Sequence, residues 1–280
     1  MSGQTEGRLL VIGGNEDKEG ECRILRSFVE MAGAEQADIA ILTTATELPE
    51  EVGSEYRDIF DRLGAGRVRV LHAETREEAS RRAVSEAVEG SSGIFLTGGD
   101  QLRLTSILGG TETDRSILTA FRGGAVVAGT SAGASAMAGT MIVSGDSADT
   151  ATRSTVSMAQ GMSLVADVVI DQHFAQRGRM NRLLASVAQN PHLLGIGIDE
   201  DTAVLIEPDG RCEVIGSQSV TILDGRHVHQ TNVSDSSSRE PLAITNLVMH
   251  ILPEGYGYDL ERHTPYRTDE QEESVCGYYR

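Results

Sequence analysis

Along the first half of the chain, short apolar runs rich in strand-forming residues are separated by longer stretches with helical spacing. The apolar runs are Leu9–Ile12, Asp38–Leu42, Val68–Leu71, Gly93–Leu96 and Ala125–Ala128. The helical patterns fall near Glu19–Met31, Glu50–Leu63, Arg76–Val88 and Leu102–Leu108, with a further one around Asp114–Phe121. Strands that are apolar on both faces and alternate with helices predict an α/β fold: a mostly parallel central sheet with helices on both faces. Val165–His173 and Leu194–Ile198 read as two more buried strands. From Asp201 onward the pattern becomes short strands with polar turns: Thr202–Ile206, Glu213–Ile215, Val220–Leu223 and Leu242–Ile251. These predict an antiparallel extension at one sheet edge toward the C-terminus. Ser234–Ser238 reads as a surface loop and the charged stretch 260–280 as a flexible tail.

Composition narrows the picture. A chain of 280 residues with 39% hydrophobic content buries one sizeable core, which predicts a single domain over residues 1–280. A net charge of −18 argues against nucleic acid as a partner, because no basic surface is available to neutralise phosphates. Lys18 is the only lysine, so arginine supplies nearly all the positive charge. Met1 to Arg8 is short and polar and no apolar run is long enough to span a bilayer, so a cytoplasmic protein without a membrane partner is expected. Cys22 (in a helix), Cys212 (in a strand) and Cys276 (in the tail) lack CxxC spacing and read as reduced thiols. Gly13-Gly14-Asn15 after the first strand is neither G-x-G-x-x-G nor a P-loop, so it reads as turn material, without a nucleotide site.

The chemistry centres on Gly129-Thr130-Ser131-Ala132-Gly133, which lies between a predicted strand and a stretch of small, helix-compatible residues. G-x-S-x-G in that setting is the nucleophile-elbow signature: the turn is so tight that only glycines fit beside the serine, whose hydroxyl then stands above the sheet. A serine nucleophile needs a base, and the base needs an orienting acid. Of seven histidines, His173 ends a buried strand, at the edge where open parallel sheets place their sites, and Arg177, Arg179 and Arg182 follow it. On a helix starting near Arg177, Arg179 and Arg182 share a face and suit carboxylate binding, with Asp171 available to a guanidinium. Asp199-Glu200-Asp201 caps another buried strand and supplies the orienting carboxylate, with Asp199 and Glu200 both open. The order Ser…His…acid differs from the Ser…acid…His order of α/β-hydrolases. Thr140–Gln160 shows no clear period and reads as a loop overhanging this site.

Gly98-Gly99-Asp100-Gln101, the Gly129–Ala134 block, and Asp171-Gln172-His173-Phe174 followed by Arg177-Gly178-Arg179-Met180-Asn181-Arg182 together resemble the cyanophycinases. The resemblance runs from Val11 to the last strand near Val248, and the Gly-Thr-Ser-Ala-Gly-Ala block alone would also suit the wider family that includes peptidase E, an aspartyl dipeptidase. It implies a glutamine-amidotransferase-like or flavodoxin-like architecture and a homodimer. The implied activity is a serine exopeptidase that releases β-Asp-Arg dipeptides from cyanophycin, a poly-aspartate carrying arginine on each β-carboxyl. It implies Ser131 as nucleophile, His173 as general base and Glu200 as orienting acid. Gln101, Asp171, Gln172, Arg177, Arg179 and Arg182 would shape the substrate pocket. The backbone N–H groups of Ala132 and of the Gly99 or Asp100 turn would hold the oxyanion, with no metal or cofactor required. An aspartyl or isoaspartyl dipeptidase and a non-catalytic module binding a small acidic ligand are the alternatives; a complete Ser–His–acid set argues against the latter.

Overall fold

Leu9–Ile12 forms the first strand, and its four buried side chains divide between two cores. Leu9 and Val11 face one, Leu10 and Ile12 the other. The computed structural model describes residues 6–145, 150–235, 237 and 240–269. In chain order it runs β1 (Leu9–Ile12), α1 (Arg23–Met31), β2 (Asp38–Leu42), α2 (Pro49–Arg62), β3 (Arg67–Leu71), α3 (Arg82–Glu89), β4 (Gly93–Leu96), α4 (Gln101–Leu108), α5 (Glu112–Arg122), β5 (Val126–Thr130) and α6 (Ala132–Met137). The chain continues through β6 (Thr140–Gly145), β7 (Val156–Gln160), β8 (Val168–Asp171), α7 (Met180–Gln189), β9 (Leu194–Ile198), β10 (Thr202–Ile206) and β11 (Arg211–Gly216). The last strands are β12 (Ser219–Asp224), β13 (Val248–Pro253), β14 (Tyr256–Asp259) and β15 (Thr264–Arg267).

Nine strands form the main sheet in the order β15-β14-β11-β10-β1-β5-β4-β2-β3. From β1 to β3 every pairing is parallel, and from β10 outward every pairing is antiparallel. Helices α1 and α2 cover one face through Phe28, Phe60 and Tyr56, whose rings pack with Phe95 of β4 at centroid separations of 4.6–5.6 Å. Burying each such ring contributes about 1.5–3 kcal/mol, so α2 is held firmly against the sheet. Residues of α3, α4, α5 and α6 fill the opposite face.

The remaining strands depart from a simple edge extension. Four of them make a second sheet, β13-β12-β9-β8, in which β8 and β9 are parallel and β12 is antiparallel to both of its neighbours. Its apolar face (Val168, Ile170, Ile196, Ile198, Val220, Ile222) joins the same core as Val204, Ile206 and Val214 of the main sheet. The other face of β9 carries Gly195 and Gly197. A Cβ on Gly197 would lie 2.6 Å from the Phe174 ring, and one on Gly195 would lie 2.8 Å from Val187. The Gly–Ile alternation of β9 therefore lets Phe174 and α7 pack directly on the backbone.

Several sequence expectations shift. The helix expected from Glu19 begins at Arg23, because the Asp17 carboxylate accepts hydrogen bonds from the N–H groups of Glu19, Gly20 and Cys22 and builds a turn there. Cys22 thus precedes α1, and burial pushes the Cys212 thiol well up. Cys276 lies outside the described residues. Arg76–Val88 divides into a 3₁₀ turn at Glu78–Ser80 and α3, with Arg81 extended between them. Thr140–Gln160 is not wholly a loop, since β6 and β7 pair as a hairpin. Only Val248–Pro253 of the late apolar stretch is a strand; Ile244 makes just an isolated bridge to Thr231. Thr264–Arg267, expected in the tail, pairs with β14 as an edge strand. Ser236 and Ser238 of the expected surface loop, and residues 270–280, lie outside the described residues. Among the described residues no helix is long and apolar enough to cross a membrane, and no group of His, Cys, Asp and Glu could hold a metal ion.

Candidate active site

Ser131 sits between β5 and α6 with φ 51° and ψ −109°, a backbone conformation that L-residues with a side chain rarely adopt. The flanking glycines make it possible: a Cβ on Gly129 would lie 2.6 Å from the Gly133 carbonyl carbon, and one on Gly133 2.3 Å from the Leu96 carbonyl oxygen. The turn therefore holds the serine hydroxyl out at the C-terminal end of β5.

His173 and Glu200 come from the second sheet, at the ends of β8 and β9. The Ser131 Oγ and His173 Nε2 are 2.9 Å apart, and the His173 Nδ1 and Glu200 Oε1 are 2.7 Å apart. Asn15 Nδ2 donates to the other Glu200 oxygen at 3.0 Å, and the Glu200 N–H donates to Gln176 Oε1 at 3.1 Å. Asp199, the other open carboxylate, is turned away. Its oxygens accept from the Ala175 N–H (2.9 Å) and from the Ser219 hydroxyl (2.9 Å), so it ties the β9 end to the loop after β8 and to β12.

Burial lowers the His173 pKa below the usual histidine value. The hydrogen bond to Glu200 opposes this, and Arg177 reinforces it. The hydrogen bond to His173 holds the Glu200 carboxyl below its ordinary range against the opposing effect of desolvation, with further help from Asn15. The array thus contains a neutral base and an ionised acid at neutral pH. This order of hydroxyl, imidazole and carboxylate can activate an alcohol for attack on a carbonyl.

The turn after β1, read from sequence as plain turn material, is the hub of this arrangement. The Ile12, Gly13 and Gly14 carbonyls accept hydrogen bonds from the N–H groups of Ser131 (3.1 Å), His173 (2.8 Å) and Asp201 (3.0 Å) respectively. Gly14 has φ +96°, and a Cβ there would lie 2.4 Å from His173 Cε1. Gly14→Ala is therefore expected to push the imidazole ring off the Ser131 hydroxyl.

A displacement of about 1 Å costs on the order of 10²-fold in rate, so kcat/KM on the substrate should fall by at least that much, as steady-state kinetics would show. Asn15 and Glu16 follow in the same turn, and the sequence offered no signal for either beyond the glycine pair.

The other site residues divide. Asp100 does not supply an oxyanion donor, because its N–H donates to the Ala45 carbonyl (2.9 Å) and its carboxylate caps α4. The N–H groups of Gly99 and Ala132 have no hydrogen bond among the described residues. Gln101 donates to the Ile142 and Val143 carbonyls (2.8 and 2.9 Å) and so anchors the β6–β7 hairpin. The arginines do not share one helix face: α7 begins at Met180, Arg179 is its N-cap, and Arg177 lies in the preceding turn. Asp171 is fully buried and accepts from Arg182 Nε at 2.6 Å and from Arg182 Nη2, so neither residue is free to grip a ligand. Arg179 is turned to Asp171 and to both oxygens of buried Gln172, and burial together with Arg182 pulls its pKa down to about 10. Arg177 alone of the three is exposed; its N–H donates to the His173 carbonyl (3.1 Å), and its guanidinium has no hydrogen bond or ion pair among the described residues.

Comparison with known proteins agrees with this reading of the fold. The chain is 44% identical to a cyanophycinase of Nostoc sp. over 261 residues, covering 93% of this chain and 88% of the relative. It is 42% identical to a cyanophycinase of Geminocystis herdmanii over 258 residues, covering 92% and 95%. Among solved structures, a peptidase from an acI-B1 Actinobacterium superposes with a TM-score of 0.70 at 22% identity, covering 92% of this chain and 98% of that one. Residues 9–214 match the model of Peptidase family S51, a span that includes the Ser131 elbow and the strands that carry His173 and Glu200. With a family match over most of its length and relatives above 40% identity, the chain belongs to peptidase family S51.

Proposed function

We propose that this peptidase hydrolyses cyanophycin to β-Asp-Arg dipeptides as a serine exopeptidase, with Ser131 as nucleophile, His173 as general base and Glu200 as the acid that orients it. The observation that carries the reading is the continuous array from the Ser131 hydroxyl through His173 to Glu200, at 2.9 and 2.7 Å. The cyanophycinase relatives supply the substrate class.

In this mechanism His173 Nε2 takes the Ser131 proton as the oxygen attacks the backbone carbonyl of the polymer. The N–H groups of Gly99 and Ala132 stabilise the oxyanion, and losing one such donor typically costs about 10²–10³ in rate. The imidazolium, stabilised by Glu200, protonates the leaving amine, and water then hydrolyses the acyl-enzyme by the reverse path. Arg177 grips a free arginyl carboxylate of the substrate, while Asp171, Gln172, Arg179 and Arg182 brace the wall behind it. The enzyme acts in the cytoplasm as a homodimer, which light scattering would test.

Mass spectrometry of the products is the direct test. Insoluble cyanophycin should yield β-Asp-Arg, whereas hydrolysis of Asp-X dipeptides with nothing released from the polymer would favour the aspartyl dipeptidase instead. The pH profile provides a second check. His173 works in its neutral form, so a pKa below the ordinary value keeps it active into mildly acidic solution, and activity is lost only as pH falls through that lowered pKa. The acid limb of kcat/KM should therefore lie below about 6.5. Arg177→Ala removes one lowering influence and should move that limb upward.

A further inference from the structure

A cleft of about 770 Å³ opens at Ser131 and runs between the turn after β1 and helix α2. Four carboxylates line it (Glu16, Glu19, Glu55 and Asp58) against two cations, Lys18 and Arg62. Lys18 pairs with Glu55 at 2.9 Å, so those two charges offset each other. Arg62 donates to the Lys18 carbonyl and to Cys22 Sγ.

Glu16 differs from the other three carboxylates. It is 4% exposed, and its two oxygens accept from the Tyr56 hydroxyl (2.5 Å) and the Thr130 hydroxyl (2.7 Å). Thr130 immediately precedes the nucleophile. Among the described residues no cation pairs with Glu16. A buried carboxylate without a counter-charge is costly, and its two neutral donors leave about half of its acceptor positions open. The Tyr56 ring beside it already holds one cation, the Lys18 ammonium, 4.3 Å from its centroid. A buried carboxylate with spare acceptor positions, hydrogen-bonded to the residue before the nucleophile and lining an open cleft, suits a cation brought by the substrate.

We infer that Glu16, held in place by Tyr56 and Thr130, is a specificity-determining residue that receives the guanidinium of an arginyl side chain next to the scissile bond. The inference rests on the reading of the enzyme as a cyanophycin hydrolase. A planar guanidinium presents paired N–H donors together with a positive charge; an ammonium lacks the planar pair, and a neutral urea group keeps paired donors but lacks the charge.

The test compares a short oligomer of β-Asp-Arg units with the same oligomer carrying citrulline, the neutral near-isostere of arginine. Wild-type enzyme should favour the arginine oligomer in kcat/KM by about 10–100-fold, the range expected of one charge-assisted pair. In Glu16→Gln this preference should collapse toward one. A merely structural Glu16 would instead lower both rates together with the preference retained, and that result overturns the inference. So does wild-type enzyme that treats the two oligomers alike, a comparison that stands even if Glu16→Gln fails to fold. If the wild-type enzyme cleaves neither oligomer nor the polymer, the underlying assignment of activity falls, and this inference falls with it.

Discussion

Ser131→Ala is expected to leave the protein folded and to lower polymer hydrolysis by about 10⁴–10⁶-fold in kcat. The magnitude follows from the array: without the hydroxyl, His173 and Glu200 have no proton to move, and only binding and oxyanion stabilisation remain. His173→Ala should cost a similar amount, and the double variant little more than either single one, because residues acting as a unit are not additive. The backbone offers a companion test. Ser131 holds φ 51°, which costs a residue with a Cβ about 1–2 kcal/mol and a glycine almost nothing. Ser131→Gly should therefore be as inactive as Ser131→Ala yet melt a few degrees higher, at about 2–4 °C per kcal/mol for a chain of this size. Equal melting temperatures would mean that the elbow stores no strain. Retained hydrolysis in Ser131→Ala would remove the nucleophile assignment altogether.

The parts of the site that could be read from sequence are those encoded by local pattern. The parallel half of the main sheet follows from apolar runs alternating with helical spacing, and the elbow from glycines that only a tight turn requires. His173 and the Asp199–Asp201 acids were legible as the ends of buried strands. What periodicity cannot show is which sheet a strand joins: β8, β9, β12 and β13 have the same apolar character as their neighbours but pair among themselves. The choice between Asp199 and Glu200 likewise depends on through-space partners, namely Ala175 and Ser219 for one and His173 and Asn15 for the other. The hub at Gly13 and Gly14 works through backbone carbonyls, which every residue carries, so no side-chain pattern marks it. Charge misled most at Asp171 and Arg182. Charged residues are usually at the surface, and only the folded structure reveals that these two neutralise each other in the interior.

That pair yields the largest expected loss of stability. Arg182 lies at 6% exposure with two nitrogens on the fully buried Asp171 carboxylate, and its stem packs where Gly145 of β6 leaves room. Desolvation pushes the Asp171 pKa up, and the Arg182 hydrogen bonds pull against that shift. Arg182→Ala removes the only bidentate partner of a carboxylate that water does not reach. Breaking a buried pair from one side costs about 3–5 kcal/mol, which corresponds to a fall in melting temperature of roughly 10 °C. Replacing both members with apolar residues of similar size, Asp171→Leu with Arg182→Met, should recover much of the loss, because no unpaired charge remains. Arg177→Ala provides the contrast: the side chain is exposed, so stability should change by no more than about 0.5 kcal/mol, while KM rises. If Arg182 instead gripped substrate, its removal would raise KM and leave the melting curve in place. Calorimetry on the three variants, read beside their KM values, separates an arginine that holds the fold from one that holds the polymer.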